Sequence, residues 1–214
     1  GRPRHAVALS LGLVIFLVGI IAGLYRAGER FISYQEAQRG IKTLNATGDA
    51  VKALPILARA ANIAPSEDTL QRLLAEALLI RLQTLLQQGS QANPQDLQNA
   101  LGSAIQTAQA AVRQNGLDSN NWATLAGIYE SIIPFVDGAE TFAVEGYKKW
   151  QGVSPQNPFP WVAEARASLS AADKFSTLAS QQGASGQQKK ELNDQRIQWL
   201  NRAVEALNRA IALK

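Results

Sequence analysis

The sequence predicts an all-α chain in which one N-terminal transmembrane helix is continuous with a stack of about four helical hairpins. Three observations predict this. The twenty residues from Ala6 to Tyr25 carry no charge. Beyond them, apolar and small residues recur at three- and four-residue spacing, the signature of buried helix faces, and Ala, Leu and Gln dominate while Val and Ile thin out. Short clusters of Pro, Gly, Asn and Asp break that pattern at hairpin-like intervals.

The first element is the run AVALSLGLVIFLVGIIAGLY. At 1.5 Å per residue it spans about 30 Å, the thickness of a bilayer's hydrocarbon core. Arg2, Arg4 and His5 stand on one side, Arg26 and Arg30 on the other, and Tyr25 is placed for the interface. A cleaved signal peptide would have a shorter apolar region, and Ala22-Gly23-Leu24 is a poor cleavage site, so the segment reads as retained. Residues 6–25 therefore seek a lipid bilayer or an apolar helix bundle. Gly12, Gly19, Gly23 and Ala27 fall on one helix face, and Gly19 to Gly23 is a G-x-x-x-G that allows close helix–helix approach. Residues 1–30 make up this membrane helix with its flanks.

No proline follows the apolar run before Thr47, and helical spacing continues to a stop at Ala46-Thr47-Gly48-Asp49. The sequence thus predicts one long helix over 6–46, or two with a kink near Gly28. Arg2, Arg4 and His5 argue for an N-terminus facing the cytoplasm and repeats outside, while Arg26, Arg30, Arg39 and Lys42 pull the other way. The first residue is Gly rather than Met, which predicts a processed product or a piece of a longer chain.

Charge is concentrated at the start. Residues 1–30 hold Arg2, Arg4, Arg26 and Arg30 against Glu29, three of the four net positive charges of the whole chain. The rest is close to neutral, which argues against a nucleic-acid partner bound through a basic face. The chain has no cysteine and one histidine, His5, on the membrane flank. That leaves the repeats without His-based acid–base chemistry, a His or Cys metal site, or a base to activate a serine. The sequence gives no cofactor, no metal site and no catalytic residue. Glu67 and Asp68 read as first-turn acids favouring a helix dipole after an N-cap at Ser66, and Asp137-Gly138 as turn chemistry beside Glu140. Asn45-Ala46-Thr47 matches a glycosylation triplet but sits where a helix end calls for capping residues.

Residues 31–214 form the repeat region. The pattern A-x3-(large)-x2-A occurs at Ala53, Leu57, Ala60 with Pro65 after it, and again at Ala203, Leu207, Ala210. Between them it occurs at Ala143, Tyr147, Trp150 with Pro155 after it, and Ala104, Ala108, Ala111, Gly116 is a degenerate copy. Each copy follows a partner helix, most clearly Trp122-x2-Leu125-Ala126-x2-Tyr129. Small residues at Ala126 and Ala143 would let two antiparallel helices close together, with Trp122, Leu125, Tyr129 and Tyr147 filling the space between hairpins.

These residues resemble the tetratricopeptide (TPR) repeat, with its W-x2-L-G-x2-Y helix A and alanine-spaced helix B. The resemblance implies an α-α superhelix with repeats at about 34–65, 68–116, 119–155 and 158–214. Repeat two is longer than the family unit, with the extra length expected at 87–95, and repeat four carries a Gly/Ser/Gln loop at 181–188. The segment from Asn120 to Trp150, N-N-W-A-T-L-A-G-I-Y-E-S and onward, is also similar to C-terminal repeat regions of large bacterial membrane proteins of the O-antigen polymerase or ligase-like kind. That similarity implies a bacterial envelope protein. It supplies no enzyme, because glycan polymerisation in that family sits in a multi-span part that these residues do not contain.

Mapped onto the family's helix A positions, the groove falls at Gln35, Gln38, Lys42 and Asn45, then Thr69, Arg72, Glu76 and Leu79. It continues through Asn120, Ala123, Gly127, Glu130 and Ser131 to Phe159, Val162, Arg166 and Ser170. This mixed, mostly uncharged surface suits a polypeptide or glycan better than a highly charged partner. Trp122 and Trp161 are expected in the core, and Phe159, between two prolines, is the aromatic best placed for exposure, with packing of its turn against the adjacent hairpin as its expected role. Three functions follow: an envelope scaffold holding protein partners or copies of itself, a filament subunit with bundled apolar helices, or the detached tail of a multi-span glycan enzyme. The corresponding locations are a cell membrane crossed once with repeats outside, or a cell-surface filament.

Overall fold

The computed structural model describes residues 2–181 and 185–213, with side chains from Leu11 onward, so the flank side chains Arg2, Arg4 and His5 and part of the expected 181–188 loop lie outside the described residues. Among the described residues there are eight α-helices, one 3₁₀ turn and no strand. Helix α1 spans Arg2–Thr47 without a break at Gly28, about 69 Å at 1.5 Å per residue. It ends where Gly48 turns left-handed at φ 64° and donates its N–H back to the Leu44 carbonyl at 2.8 Å, a conformation glycine adopts without a Cβ penalty. Thr47 hydrogen-bonds the Thr43 carbonyl, and Asp49 caps helix α2, Ala50–Ile63, by accepting from the Val51 N–H at 2.9 Å.

The following helices start on similar signals. Helix α3 is Asp68–Gln88, followed by a 3₁₀ turn at Gly89–Gln91. Helix α4, Pro94–Gln114, places Pro94 where its missing N–H is not needed, behind Asn93 as N-cap. Helix α5, Ser119–Ser131, is capped by Asp118, and helix α6, Ala139–Val153, begins after Gly138 at φ 82°. Helix α7 is Phe159–Ser180. Helix α8, Gly186–Ala212, opens with a reciprocal capping box between Ser185 and Gln188.

The chain separates into two compact units, Gly1–Ser66 and Glu67–Lys214. In the first, the end of α1 pairs with α2, and Ala53, Leu57 and Ala60 of the alanine pattern are buried. Gly40 marks the close approach: a Cβ there would lie 2.7 Å from the Leu57 side chain. In the second unit α3 pairs with α4, α5 with α6, and α7 with α8. Each second helix also packs on the first helix of the next hairpin, and α3, α5 and α7 adjoin in series.

The core of the second unit is built on alanine. Ala75, Ala104 and Ala108 meet Leu125 and Ile128, while Ala126, Ala143, Ala163, Ala167 and Ala171 surround Leu82, Ile133 and Tyr147. Small residues let helix axes approach to the short end of the usual 8–10 Å range. The tightest point is Gly146, where a Cβ would fall 2.8 Å from the Ala126 Cβ.

Several local expectations change. The N-cap of α3 is Glu67 rather than Ser66, and it makes no side-chain cap bond. The extra length of repeat two lies in its helices, 21 residues each, and the stretch at 87–95 is only a tight turn. Residues 186–188 belong to α8 rather than to a loop. Trp122 and Trp161 are half-buried rather than fully in the core.

Candidate docking face

The helix A face of the second unit is a set of paired charges. On α3, Arg72 donates to Glu76 at 2.8 Å, and the same carboxylate accepts from Thr124 on α5 at 3.3 Å. On α5, Glu130 receives two bonds from Arg166 of α7: Nε to Oε1 at 2.5 Å and Nη2 to Oε2 at 2.8 Å. Glu130 also accepts from the hydroxyl of Tyr147 on α6. One carboxylate thus joins three helices. Burial first, and the Glu130 charge second, push the Tyr147 phenol far above its ordinary value of 10.0. The bond to Glu130 likewise holds Arg166 above its usual range.

Fork-to-carboxylate pairing neutralises Glu130 with Arg166, and a single bond pairs Arg72 with Glu76. Glu130 is shielded, with 13% of its side chain exposed, while the Arg166 side chain stands 66% exposed. Asn120 and Phe159 lie exposed at the starts of α5 and α7, and Phe159 is 68% exposed. The second unit therefore brings Arg72 to Glu76 and Glu130 to Arg166. Gln38 and Lys42 belong to the first unit, where both are exposed on α1.

Sequence reasoning missed three buried polar ties. Asn121, fully buried, donates to Asp68 at 2.8 Å and to the Asn115 carbonyl at 3.0 Å, fixing the α4–α5 turn against the start of α3. Lys174 of α7 is buried beside Glu140 at 3.2 Å, Asp137 at 3.0 Å and the Val136 carbonyl at 2.9 Å. Glu164, 3% exposed, accepts from Gln151 at 2.6 Å and from Arg202 at 2.9 Å, so α6, α7 and α8 share it. The only local signal was an acidic side chain inside an alanine-rich buried stripe, as at Glu164 between Ala163 and Ala165.

On α1, every residue from Leu11 to Gly28 is exposed, including Phe16, Leu17, Ile20, Ile21 and Leu24. The segment is long and apolar enough to cross a membrane, with a mean hydropathy of 2.0 over its most apolar window. Gly12, Gly19, Gly23 and Ala27 are exposed with it, and a Cβ at any of the three glycines would meet nothing within 4 Å.

Solved structures that match this architecture include two crystal structures of MamA, a TPR-containing protein. One is 17% identical, with 84% of this chain and 81% of that chain covered and a TM-score of 0.50. The other is 16% identical, with 84% and 75% covered and a TM-score of 0.51. The fold is TPR-like. At that identity the likeness concerns the fold alone. No family model matches the chain, and no curated protein matches it.

Proposed function

We propose that this protein is a non-catalytic, membrane-anchored TPR scaffold that docks polypeptide partners at a bacterial cell envelope. The observation that carries the reading is the unbroken exposure of α1 from Leu11 to Gly28, on a helix that runs without interruption into the first hairpin. Apolar surface of that extent is unfavourable in water, and a helix satisfies its own backbone in lipid. The hairpins in turn offer a face of neutralised charge at Arg72, Glu76, Glu130 and Arg166, with Asn120 and Phe159 exposed, suited to a partner of little net charge. The envelope location follows from the resemblance drawn from the Asn120–Trp150 sequence.

A second reading, self-association through α1 with filament assembly as its extreme form, is favoured by the open glycine face at Gly12, Gly19 and Gly23. The test is flotation of the purified chain with lipid vesicles, beside a variant carrying Leu17→Arg and Ile21→Arg. An Arg at a membrane helix centre costs about 2.5–3.5 kcal/mol, so the parent should float and resist alkaline extraction while the variant sediments free. Equal release of both would remove the anchor from the account. Ordered fibres on detergent withdrawal, absent with Gly19→Leu, would favour assembly instead.

A further inference from the structure

Helices α4 and α6 each pack on the first helix of their own hairpin and on the first helix of the next, whereas α8 packs on α7 alone among the described residues. The alanine pattern sets α6 and α8 in one register: Ala203, Leu207 and Ala210 stand where α6 has Ala143, Tyr147 and Trp150. On α6, Val144 and Tyr147 are each 2% exposed, in the cluster that holds Ala163 and Ala167 of α7. Their equivalents on α8, Val204 and Leu207, are 58% and 40% exposed, and they line up with Ile197, Leu200 and Ile211 as one apolar stripe. We propose that this stripe is the seam of a parallel two-stranded coiled coil with α8 of a second copy of this chain.

Spacing and side-chain shape name that occupant. From Ile197 to Ile211 the five residues are three, four, three and four apart, the a and d places of a heptad. Ile and Val hold the a places and Leu holds both d places, the choice that favours two parallel strands. The stripe also continues an interface already made, since Ala203 and Ala210 beside it are buried against α7. A following hairpin helix like α7 fits less well. Helix α7 meets α6 partly through polar ties, Lys174 with Glu140 and Glu164 with Gln151. The α8 equivalents of Glu140 and Gln151 are Leu200 and Ile211, so a Lys or Glu brought there would be buried without a partner. An identical apolar stripe brings none. Charge beside the seam allows the match as well. Asn201 and Asn208 on its open flank are exposed and uncharged, and in a parallel pair Arg196 of one copy faces Asn201 of the other, so no like charges meet.

The seam lies within the second unit and does not depend on whether α1 enters a bilayer. The chain has no cysteine, so one introduced thiol reports on its own position. The experiment oxidises the whole chain in detergent micelles as Ile197→Cys, Val204→Cys, Ile211→Cys and, on another face of α8, Glu205→Cys, and reads covalent dimer on denaturing gels. Light scattering of the detergent complexes gives the mass of the parent, of the double variant Val204→Glu, Leu207→Glu, and of Gly19→Leu, which fills the open glycine face of α1. The α8 changes are all at exposed side chains, and a melting temperature equal to the parent's verifies that each variant folds. The expected result is crosslinking at 197, 204 and 211 but not at 205, because facing a positions bring paired thiols within disulfide reach. The parent should form a concentration-dependent dimer that Gly19→Leu keeps and the double variant weakens about tenfold or more. A dimer lost with Gly19→Leu but untouched by the double variant would overturn the seam and support association through α1. Crosslinking at 204 alone would overturn the parallel arrangement. Equal crosslinking at 205, or a parent that stays monomeric at every concentration, would overturn the seam itself.

Discussion

Replacing Tyr147 by Asp tests the packing of three helices at once. The ring is 2% exposed in the core shared by Ala126, Ala143 and Ala163, and its hydroxyl donates to Glu130. Losing a buried aromatic costs about 3–5 kcal/mol, and losing a hydrogen bond to a charged group about 1.5–3 kcal/mol. The two overlap, and the new carboxyl faces Glu130 in a dry site, so the net is about 4 kcal/mol or more. For a domain of this size each kcal/mol moves the melting temperature by about 2–4 °C, giving a fall of about 8–16 °C. Tyr147→Phe keeps the ring and loses only the hydroxyl, so it should melt about 3–12 °C low. Thermal melts of the full chain in detergent, followed by far-ultraviolet circular dichroism and tryptophan fluorescence, read both. An Asp variant within about 2 °C of the parent would mean that α5, α6 and α7 do not close around this ring.

The same residue sets a pH dependence. The Tyr147 pKa is raised above 10.0 in the folded state, so its contribution is complete below pH 10.0 and is lost as pH rises from there toward the folded value. Stability curves of the parent should fall more steeply above that pH than those of Tyr147→Phe, and parallel curves would count against the buried phenol. Lys174→Met strands Glu140, whose side chain is 9% exposed, and should cost about 3–5 kcal/mol in urea unfolding, whereas Asp137→Asn, at a side chain 99% exposed, should cost under about 1 kcal/mol. Two glycines in helices should respond oppositely. Gly146→Val meets Ala126 and should lose about 1–3 kcal/mol in the same assay, while Gly102→Ala enters open space and should gain up to about 1 kcal/mol.

Local chemistry was legible in the sequence, and long-range pairing was not. Gly48, Asp49, Asn93-Pro94 and Gly138 announce where helices stop and start, because capping and left-handed turns are decided within a few residues. The alanine pattern at 53, 57 and 60 and again at 143 and 147 marked buried faces, since helical spacing alone puts those side chains on one side. Phe159 was only half legible: the sequence reads it as packing its turn against the adjacent hairpin, and it is 68% exposed. Asn121 to Asp68, Lys174 to Glu140 and Glu164 to Arg202 could not be read, because each partner lies more than thirty residues away. Periodicity shows that Lys174 and Glu164 fall on buried stripes but not which opposite charge meets them.

The central claim is that α1 lies in a bilayer from Leu11 onward while the hairpins stand in water. Hydrogen–deuterium exchange of the chain in lipid vesicles tests it most directly. An isolated helix whose residues 11–28 are all exposed has no packing to hold its amides closed in water, whereas in lipid no water reaches them. The account predicts that amides from Leu11 to Leu24 are the slowest in the chain, slower than those of α5 and α6 in the core. Exchange in that segment as fast as in the exposed face of α8 would contradict it.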